Sequence, residues 1–148
     1  MKSNILDLDP LFRDDAIEFL KQLNGTAYKF IISQVKRTKA EQEALYAQGR
    51  KAIEVVNHLR DLAGMTAINP NQNKIVTQTL KSRHLANPQG FSEAFDIVAI
   101  DRRTGNAIWD DTKTETPYKL AYTLSLAFKK LQAGYEWGWD KGHYQRRV

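Results

Sequence analysis

The stretch EAFDIVAID, residues 93–101, contains the apolar run AFDIVAI and predicts a β-strand. TGN at 104–106 marks a turn after it, and AIW at 107–109 is a candidate hairpin partner. Upstream, AYKFIIS at 27–33 is rich in β-branched and aromatic residues and predicts a second strand. The remaining strand candidates are KIVTQT (74–79) and YEW (135–137).

Three helices are predicted around these strands. DPLFRDDAIEFLKQL at 9–23 begins with Asp9 as a capping residue. TKAEQEALYAQGRKAIEVVNHLRDLAG at 38–64 begins with a capping box and contains Gly49 as a candidate interruption. TPYKLAYTLSLAFKKLQAG at 116–134 keeps an apolar helical period. Helices and strands mix without regular βαβ alternation, which predicts an α+β fold with a small, largely antiparallel sheet packed with helices.

Length and composition narrow the classes of protein. The chain has 148 residues, so we expect residues 1–148 to form one domain. No apolar run approaches the ~20 residues that cross a bilayer, and the first residues lack the pattern of a signal peptide. We therefore expect no membrane insertion and a protein that stays in the cytosol unless something else releases it. The net charge of +5 favours an anionic partner such as nucleic acid, a membrane surface or a cell wall.

The absence of cysteine excludes disulfides and thiolate metal sites, so a metal site here must use His, Asp and Glu. Asp96 lies inside an apolar strand pattern, where a carboxylate costs free energy unless it is paired or bound to a cation. Taken singly, Asp96 also fits an arginine pair, and His84 and His143 fit packed or surface positions. Together they make a three-ligand set that leaves a fourth position open, as in catalytic zinc sites.

Hydrolysis at such a site also needs a carboxylate that carries a proton and a cation that stabilises negative charge. Asp140 lies three residues before His143, so one tight turn would let both face the same cavity. Arg37, after the strand at 27–33, is the candidate cation. Trp137 and Trp139 alternate on the predicted last strand, so we expect at least one to pack in the core.

Four motifs follow one another over residues 27–144 in an order that is quite specific. They are KRTKAEQEALYAQGR (36–50), IVTQTLKSRH (75–84), SEAFD (92–96) and DKGHY (140–144). This set resembles the zinc-dependent LD/DD-peptidases of the D-alanyl-D-alanine carboxypeptidase superfamily. Within it, the sequence looks most like the L-alanyl-D-glutamate peptidases that phages use as endolysins. The resemblance implies the hedgehog-like LD/DD-peptidase fold, with the zinc site at the sheet.

The resemblance also implies a role for each matching residue. Zinc would be bound by His84, Asp96 and His143. Asp140 would be the general base, and Arg37 would hold the scissile carbonyl or a substrate carboxylate. Ser82 matches a serine near the metal, where it would orient a ligand or the substrate.

The function implied is hydrolysis of the peptidoglycan stem peptide, at the L-Ala–D-Glu bond. We expect a monomer without a separate wall-binding domain that acts on peptidoglycan, does not bind nucleic acid, and waits in the cytoplasm of an infected bacterium until its release. One alternative with the same chemistry is a D-Ala-D-Ala carboxypeptidase or dipeptidase. An alternative of a different class is a non-catalytic module that binds cell wall or nucleic acid.

The sequence departs from the family pattern at three points. More residues separate His84 from Asp96 than is usual, with ANPQGF between them, and this insert is a candidate rim or lid. Ser92 stands where the family usually has glycine. The final stretch WGWDKGH is compressed, which keeps Glu136 open as the base beside Asp140.

Overall fold

The sheet assembles around the strand predicted from EAFDIVAID. The computed structural model describes residues 2–109 and 116–148. The α-helices in these residues are α1 (Pro10–Asn24), α2 (Lys39–Ala47), α3 (Ile53–Leu62) and α4 (Thr116–Ser125). The strands are β1 (Lys29–Gln34), β2 (Ala94–Ile100), β3 (Ala107–Ile108), β4 (Leu131–Ala133) and β5 (His143–Arg146). The described residues form one small α+β domain, as predicted.

All strand pairs in the described sheet are antiparallel. The order is β1-β2-β5-β4, and β3 pairs with β2 as the predicted hairpin partner. Strand β2 is therefore central, with β1 along one side and both β5 and β3 along the other. Its burial pattern agrees with this place, because only Asp96 and Ile100 in β2 are not fully buried. The prediction of a small antiparallel sheet is confirmed.

One face of the sheet is covered by α1 and forms the core. Phe19 of α1 lies 4.8 Å from Tyr144 of β5 and 6.5 Å from Phe95 of β2, measured between ring centroids. Phe95 and Tyr144 are stacked at 5.6 Å. These three rings are fully buried, and such aromatic clusters contribute both apolar burial and favourable ring geometry. The core thus holds Phe95 and Tyr144 in place, and these residues are adjacent in sequence to the candidate ligands Asp96 and His143.

The helix predicted at 38–64 is two helices. Its start is as predicted, because Thr38 and Glu41 form a reciprocal capping box. The chain leaves the helix after Ala47, and Gly49 has a φ of +80°. A β-carbon on Gly49 would lie 2.3 Å from the backbone nitrogen of Ile75, so only glycine allows this close approach. The break therefore lets the loop around residue 75 pack against the end of α2.

The prediction of a strand at 74–79 is wrong. These residues form no strand, and the side chains of Ile75 and Val76 are about half exposed, at 51% and 54%. The loop's carbonyls accept hydrogen bonds from side chains instead of a neighbouring strand. Gln42 Nε2 donates to Thr79 O at 2.7 Å, and Arg50 donates to Thr77 O at 3.0 Å. Without a partner strand, a short stretch of β-branched residues does not form a sheet.

The end of the chain also differs from prediction. The helix predicted at 116–134 ends at Ser125, and its last part is strand β4. The strand predicted at 135–137 is part of a 3-10 helix, Gly134–Trp137. Strand β5 was not predicted. Both missed strands are four residues or fewer, so they carry too little alternating pattern to be seen locally. No helix among the described residues has the length and apolar character to cross a membrane.

Candidate metal centre

Strand pairing brings two of the candidate ligands together. Asp96 of β2 lies directly opposite His143 of β5. On its other side, Asp96 lies opposite Gln34 of β1, where the register shifts at a bulge. Directly opposed residues in antiparallel strands have neighbouring side chains. The sheet therefore places a carboxylate between an imidazole and an amide on one face.

His84 reaches the same place from the loop before β2. Its backbone carbonyl accepts a hydrogen bond from the Arg37 N–H at 2.9 Å, and its own N–H donates to Ser82 Oγ at 3.1 Å. Its side chain is almost fully buried, and Nδ1 donates to the Val35 carbonyl at 2.7 Å. The end of β1 and Ser82 thus fix both the backbone and the ring of His84. Ser82, the expected ligand- or substrate-orienting residue, acts here on the His84 backbone and also lines the cleft described below.

The three candidate ligands converge on one point. Asp96 Oδ1 lies 3.1 Å from His84 Nε2 and 3.0 Å from His143 Nδ1. The three ligand atoms all lie within 4.8 Å of one another. This cluster could hold a metal ion, and two nitrogens with one carboxylate oxygen are a donor set that suits zinc. The predicted ligands are thus brought together.

The outward nitrogen of each histidine determines what its inward nitrogen can do. Nδ1 of His84 faces the Val35 carbonyl, which can only accept, so this nitrogen carries the proton. Nε2 of His143 faces Gln145 Oε1 at 3.0 Å and donates to it. Each inward nitrogen then offers a lone pair toward Asp96 Oδ1. Facing acceptors repel unless a proton or a metal ion lies between them, which is the arrangement expected of a cation site.

The pKa values of Asp96 and His143 are shifted by their contacts within the cluster. Burial alone would raise the pKa of the Asp96 carboxyl, but imidazoles that carry a proton on their inward nitrogens outweigh it, through the charge of His84 and the hydrogen bonds of both rings to Asp96. The pKa of Asp96 therefore lies well below its usual range. Burial would lower the pKa of His143, whereas its hydrogen bond and attraction to Asp96, with a further contribution from Asp140, raise it. The attraction between Asp96 and the two histidines therefore keeps the Asp96 carboxyl ionised.

Arg37 lies beside the cluster, as expected for the candidate cation. Its guanidinium donates to Gln34 Oε1 through Nε at 2.7 Å and to Gln42 Oε1 at 3.1 Å. A third contact reaches Asp96 Oδ2 at 3.5 Å. The side chain is only 11% exposed. Two glutamines therefore hold a buried guanidinium against the free oxygen of the central carboxylate.

Asp140 faces the cluster from the turn before β5. Its Oδ2 lies 3.8 Å from His143 Nδ1, its side chain is 38% exposed, and it lines the same cleft as the ligands. Its φ of 54° lies in the left-handed region, which Asp and Asn tolerate better than most residues. The turn thus places a partly solvated carboxylate near the metal ligands but farther from their centre than Asp96.

Glu136, the alternative base, is directed elsewhere. Its Oε1 accepts a hydrogen bond from Arg147 at 2.9 Å. Both residues line a separate hollow with Ser125 and Lys129. Glu136 does not line the cleft that contains the ligands. The geometry therefore favours Asp140 for any role at the cluster.

Gly134 is predicted to keep the Asp140 turn in position. A β-carbon there would lie 2.3 Å from the Asp140 carbonyl oxygen and 3.2 Å from Cβ of His143. The Gly134→Ala variant is expected to lose about 1–3 kcal/mol of unfolding free energy, because backbone must move to relieve the overlap. Urea denaturation measures this. Gly25→Ala is the control, since Gly25 has a φ of −84° and its nearest contact would be at 3.3 Å. Equal stability of Gly134→Ala and the unmodified protein would contradict the prediction.

The expectation that Trp137 or Trp139 packs in the core is wrong. Their exposed fractions are 39% and 48%, and both line the cleft. The strand that would have turned one of them inward is a 3-10 helix followed by a turn. The Trp137 ring lies 5.7 Å from the His143 ring. These aromatic side chains are therefore part of the candidate site.

The cleft itself has a volume of about 490 Å³, which is in the range of ligand-binding sites. Besides the cluster, it is lined by loop 76–83 and by Trp109. Its cations are Arg37, Lys81 and Arg83, and its described carboxylates are Asp96 and Asp140. A divalent ion at the cluster would make this cleft strongly positive, so it suits an anionic ligand.

The insert between His84 and Asp96 does not cover the cleft. Residues 85–91 do not line it. The insert turns on the Asn87 side chain, whose Oδ1 accepts hydrogen bonds from the Gln89 and Phe91 N–H groups. Asn87 Nδ2 in turn donates to Asp9 at the start of α1, at 2.6 Å. The additional residues are thus anchored on α1, and His84 and Asp96 keep their contact.

The glutamines around the cluster were not predicted. Gln34 and Gln42 accept hydrogen bonds from Arg37, and Gln145 accepts a hydrogen bond from His143 Nε2. Gln145 lies two residues after His143 on β5, so the alternation of a strand would have put both on one face, had β5 been recognised. Gln34 and Gln42 come from separate elements, and no local pattern marks them.

No known family model matches this sequence, and no curated protein matches it either. The assignment of the candidate site is therefore based on the geometry of this chain alone.

Proposed function

We propose that this protein is a zinc peptidase that hydrolyses the stem peptide of bacterial peptidoglycan, at the L-Ala–D-Glu bond. It would adopt the LD/DD-peptidase variety of the α+β fold and act as a monomeric phage-type endolysin on the wall after its release. The observation that carries the proposal is the convergence of His84 Nε2, Asp96 Oδ1 and His143 Nδ1 at the base of a cleft. The motif order that resembles this family supports the substrate.

The residues present fit zinc. Each histidine has its outward nitrogen held by an oxygen, which orients the inward nitrogen as a ligand. Asp96 supplies the third donor, and its low pKa keeps it ionised. When bound there, zinc would supply a Lewis acid that polarises a carbonyl and lowers the pKa of water toward about 7.

Asp140 and Arg37 would perform the proton transfer and the charge stabilisation. Asp140 accepts the proton of the attacking water and delivers it to the leaving nitrogen, for which its position at the rim of the cluster is suitable. Arg37 makes four hydrogen bonds to Gln34, Gln42 and Asp96. Since a guanidinium has five N–H groups, one is left among the described contacts for the carbonyl oxygen or a substrate carboxylate.

The charge of the cleft supports a stem peptide as substrate. A stem peptide carries free carboxylates, and the described residues that line the cleft include three basic side chains. The net charge of +5 would also attract the protein to an anionic wall. The sequence feature that favours a non-catalytic module is the longer spacing between His84 and Asp96. Because residues 85–91 are anchored on α1, this spacing gives that alternative no support.

The test is digestion of purified peptidoglycan, followed by analysis of the new amino and carboxyl ends. New N-terminal D-Glu with new C-terminal L-Ala is the expected result. Release of D-Ala instead would identify the carboxypeptidase alternative, and hydrolysis of free D-Ala-D-Ala with the peptidoglycan left intact would identify the dipeptidase alternative. Intact peptidoglycan in the presence of zinc would reject the proposal.

Gln145 is predicted to tune zinc affinity through His143. Gln145→Leu removes the acceptor of the His143 Nε2 proton, and loss of such a partner typically costs 10–100-fold in metal affinity. We expect zinc affinity to fall by about that factor in competition with a chromophoric chelator. Gln145→Glu keeps an acceptor oxygen and is the control, with affinity at least as high as in the unmodified protein. Unchanged affinity in Gln145→Leu would show that this contact does not orient His143.

A further inference from the structure

All the tryptophans of this protein line one cleft. The chain has three, and Trp109, Trp137 and Trp139 all border the cleft of the candidate metal centre. Their exposed fractions are 56%, 39% and 48%. Tryptophan is the largest apolar side chain, and leaving several indoles exposed in one place costs free energy unless a ligand covers them. Hydrolysis as proposed above uses none of them.

Two of the indoles form a continuous wall beside the metal ligands. The ring centroids of Trp137 and Trp139 are 6.0 Å apart, and the planes are tilted by 44°. Trp137 lies 5.7 Å from the ring of His143, whereas Trp139 precedes Asp140 in the left-handed turn. Trp109, after β3, borders the cleft from another part of the chain. A ligand that extends from the cluster would therefore meet an aromatic surface.

The polar groups around this wall indicate which ligand it suits. The loop that also lines the cleft contributes the neutral side chains of Thr77, Gln78 and Thr79. The Thr77 hydroxyl accepts from Gln42 and the Thr79 hydroxyl accepts from the Lys81 N–H, but a purely apolar ligand would still separate the Gln78 amide from water without replacing its hydrogen bonds. A pyranose ring has a face of C–H bonds that packs on an electron-rich indole, and an edge of hydroxyl and acetamido groups that hydrogen-bond. The cleft contains indole rings for the apolar face and polar side chains for the hydroxyl and acetamido groups.

The size of the cleft leaves room for such a ring beside a peptide. Its volume of about 490 Å³ falls within the range of clefts that bury most of a drug-sized ligand. In peptidoglycan the stem peptide is joined to an amino sugar next to its first residue. A peptide bond near the start of the stem, placed at the cluster, would bring that sugar within reach of the neighbouring wall.

We propose that Trp109, Trp137 and Trp139 form a subsite for an N-acetylated amino-sugar ring, which adds a sugar contact to the binding of the peptide. The role in catalysis rests on the proposed function, whereas the binding of the sugar does not. Trp137 contacts a metal ligand, so Trp109 and Trp139 are the positions that test the subsite.

The first test measures binding without hydrolysis. The full chain is titrated with the neutral tetramer of N-acetylglucosamine and followed by calorimetry and by tryptophan fluorescence. We expect saturable binding that is about tenfold weaker in Trp109→Ala and Trp139→Ala. Trp139→Phe should retain most of it, since it keeps an aromatic face. Leu126→Ala is the control, because Leu126 is 60% exposed and lies outside the cleft. No saturable binding up to the solubility limit of the tetramer would overturn the subsite.

The second test compares two substrates, the stem peptide alone and the same peptide carrying N-acetylmuramic acid. We expect the sugar-bearing substrate to have the higher kcat/KM, by about tenfold, mainly through a lower KM. Trp139→Ala should reduce this preference, whereas a variant that merely disturbs the fold would lower both values and keep their ratio. Equal kcat/KM for the two substrates would overturn the subsite and leave the peptidase proposal standing. Failure to cut either substrate, with tetramer binding intact, would overturn the peptidase proposal and support the sugar site.

Discussion

The Asp140→Asn variant is expected to lose stem-peptide hydrolysis by about 10²- to 10⁴-fold while it still binds zinc. That factor is the usual contribution of a positioned general base. Asparagine has nearly the same shape, and it also tolerates the left-handed φ of 54° found at this position. The change therefore removes a proton acceptor with little disturbance of the turn. Asp140 Oδ2 lies 3.8 Å from His143 Nδ1, and it is not among the three clustered ligand atoms.

The measurement is kcat with a soluble stem peptide, together with the zinc content of the purified variant. Glu136→Gln is the matched control, because it removes an equivalent carboxylate that is paired with Arg147 outside the cleft. We expect this control to retain activity. Normal hydrolysis by Asp140→Asn would reject Asp140 as the base. Loss of hydrolysis in Glu136→Gln alone would restore the alternative.

Replacing Asp96 by alanine is expected to abolish zinc binding and hydrolysis together. Asp96 Oδ1 contacts both ligand nitrogens, at 3.1 Å and 3.0 Å, so its loss leaves two neutral imidazoles without a charged ligand. Zinc that binds only the folded state stabilises it by about 2.7 kcal/mol at 100 times its Kd. For a domain of this size that corresponds to a rise in Tm of roughly 5–10 °C. We expect this rise in the unmodified protein and not in Asp96→Ala.

Thermal unfolding with added zinc, and again with a chelator, gives the comparison. Glu18→Ala is the control, since it removes one negative charge from the exposed side of α1 and should keep the full effect of zinc. An unmodified protein that is purified without metal, and whose Tm responds to neither zinc nor chelator, would reject the enzyme proposal. The cluster would then be a buried ion-pair arrangement.

Local sequence patterns predicted a helix or strand correctly where the element is long or begins with a capping residue. The helix predicted at 9–23 corresponds to α1, with Asp9 accepting from the Leu11 N–H at 2.8 Å. The strands predicted at 27–33 and 93–101 correspond to β1 and β2. In each, the side-chain period and the residue types agree with the structure that packing selects.

Local patterns failed where contacts distant in sequence decide the conformation. Leu120, Leu124, Phe128 and Leu131 keep a helical period, yet the helix ends at Ser125. Leu131 instead pairs with Arg146 across β4 and β5. That pairing closes the edge of the sheet beside Gln145 and supplies the backbone hydrogen bonds that a longer helix would have satisfied internally. Such an exchange cannot be seen in a window of a few residues.

By itself, the sequence determined the α+β class, the donor types of the candidate site and the four residues of greatest chemical interest, His84, Asp96, Asp140 and His143. Only the tertiary structure decided which atoms of these residues meet, that Glu136 turns away from the cleft, and that the tryptophans line it. The reason is physical. Asp96 and His143 are 47 residues apart and become neighbours through antiparallel register alone. The usable nitrogen of each histidine is then chosen by the oxygen that holds the other one. For His84 that oxygen is the Val35 carbonyl, 49 residues away. For His143 it is Gln145 Oε1, which lies on the same face only because these residues form a strand.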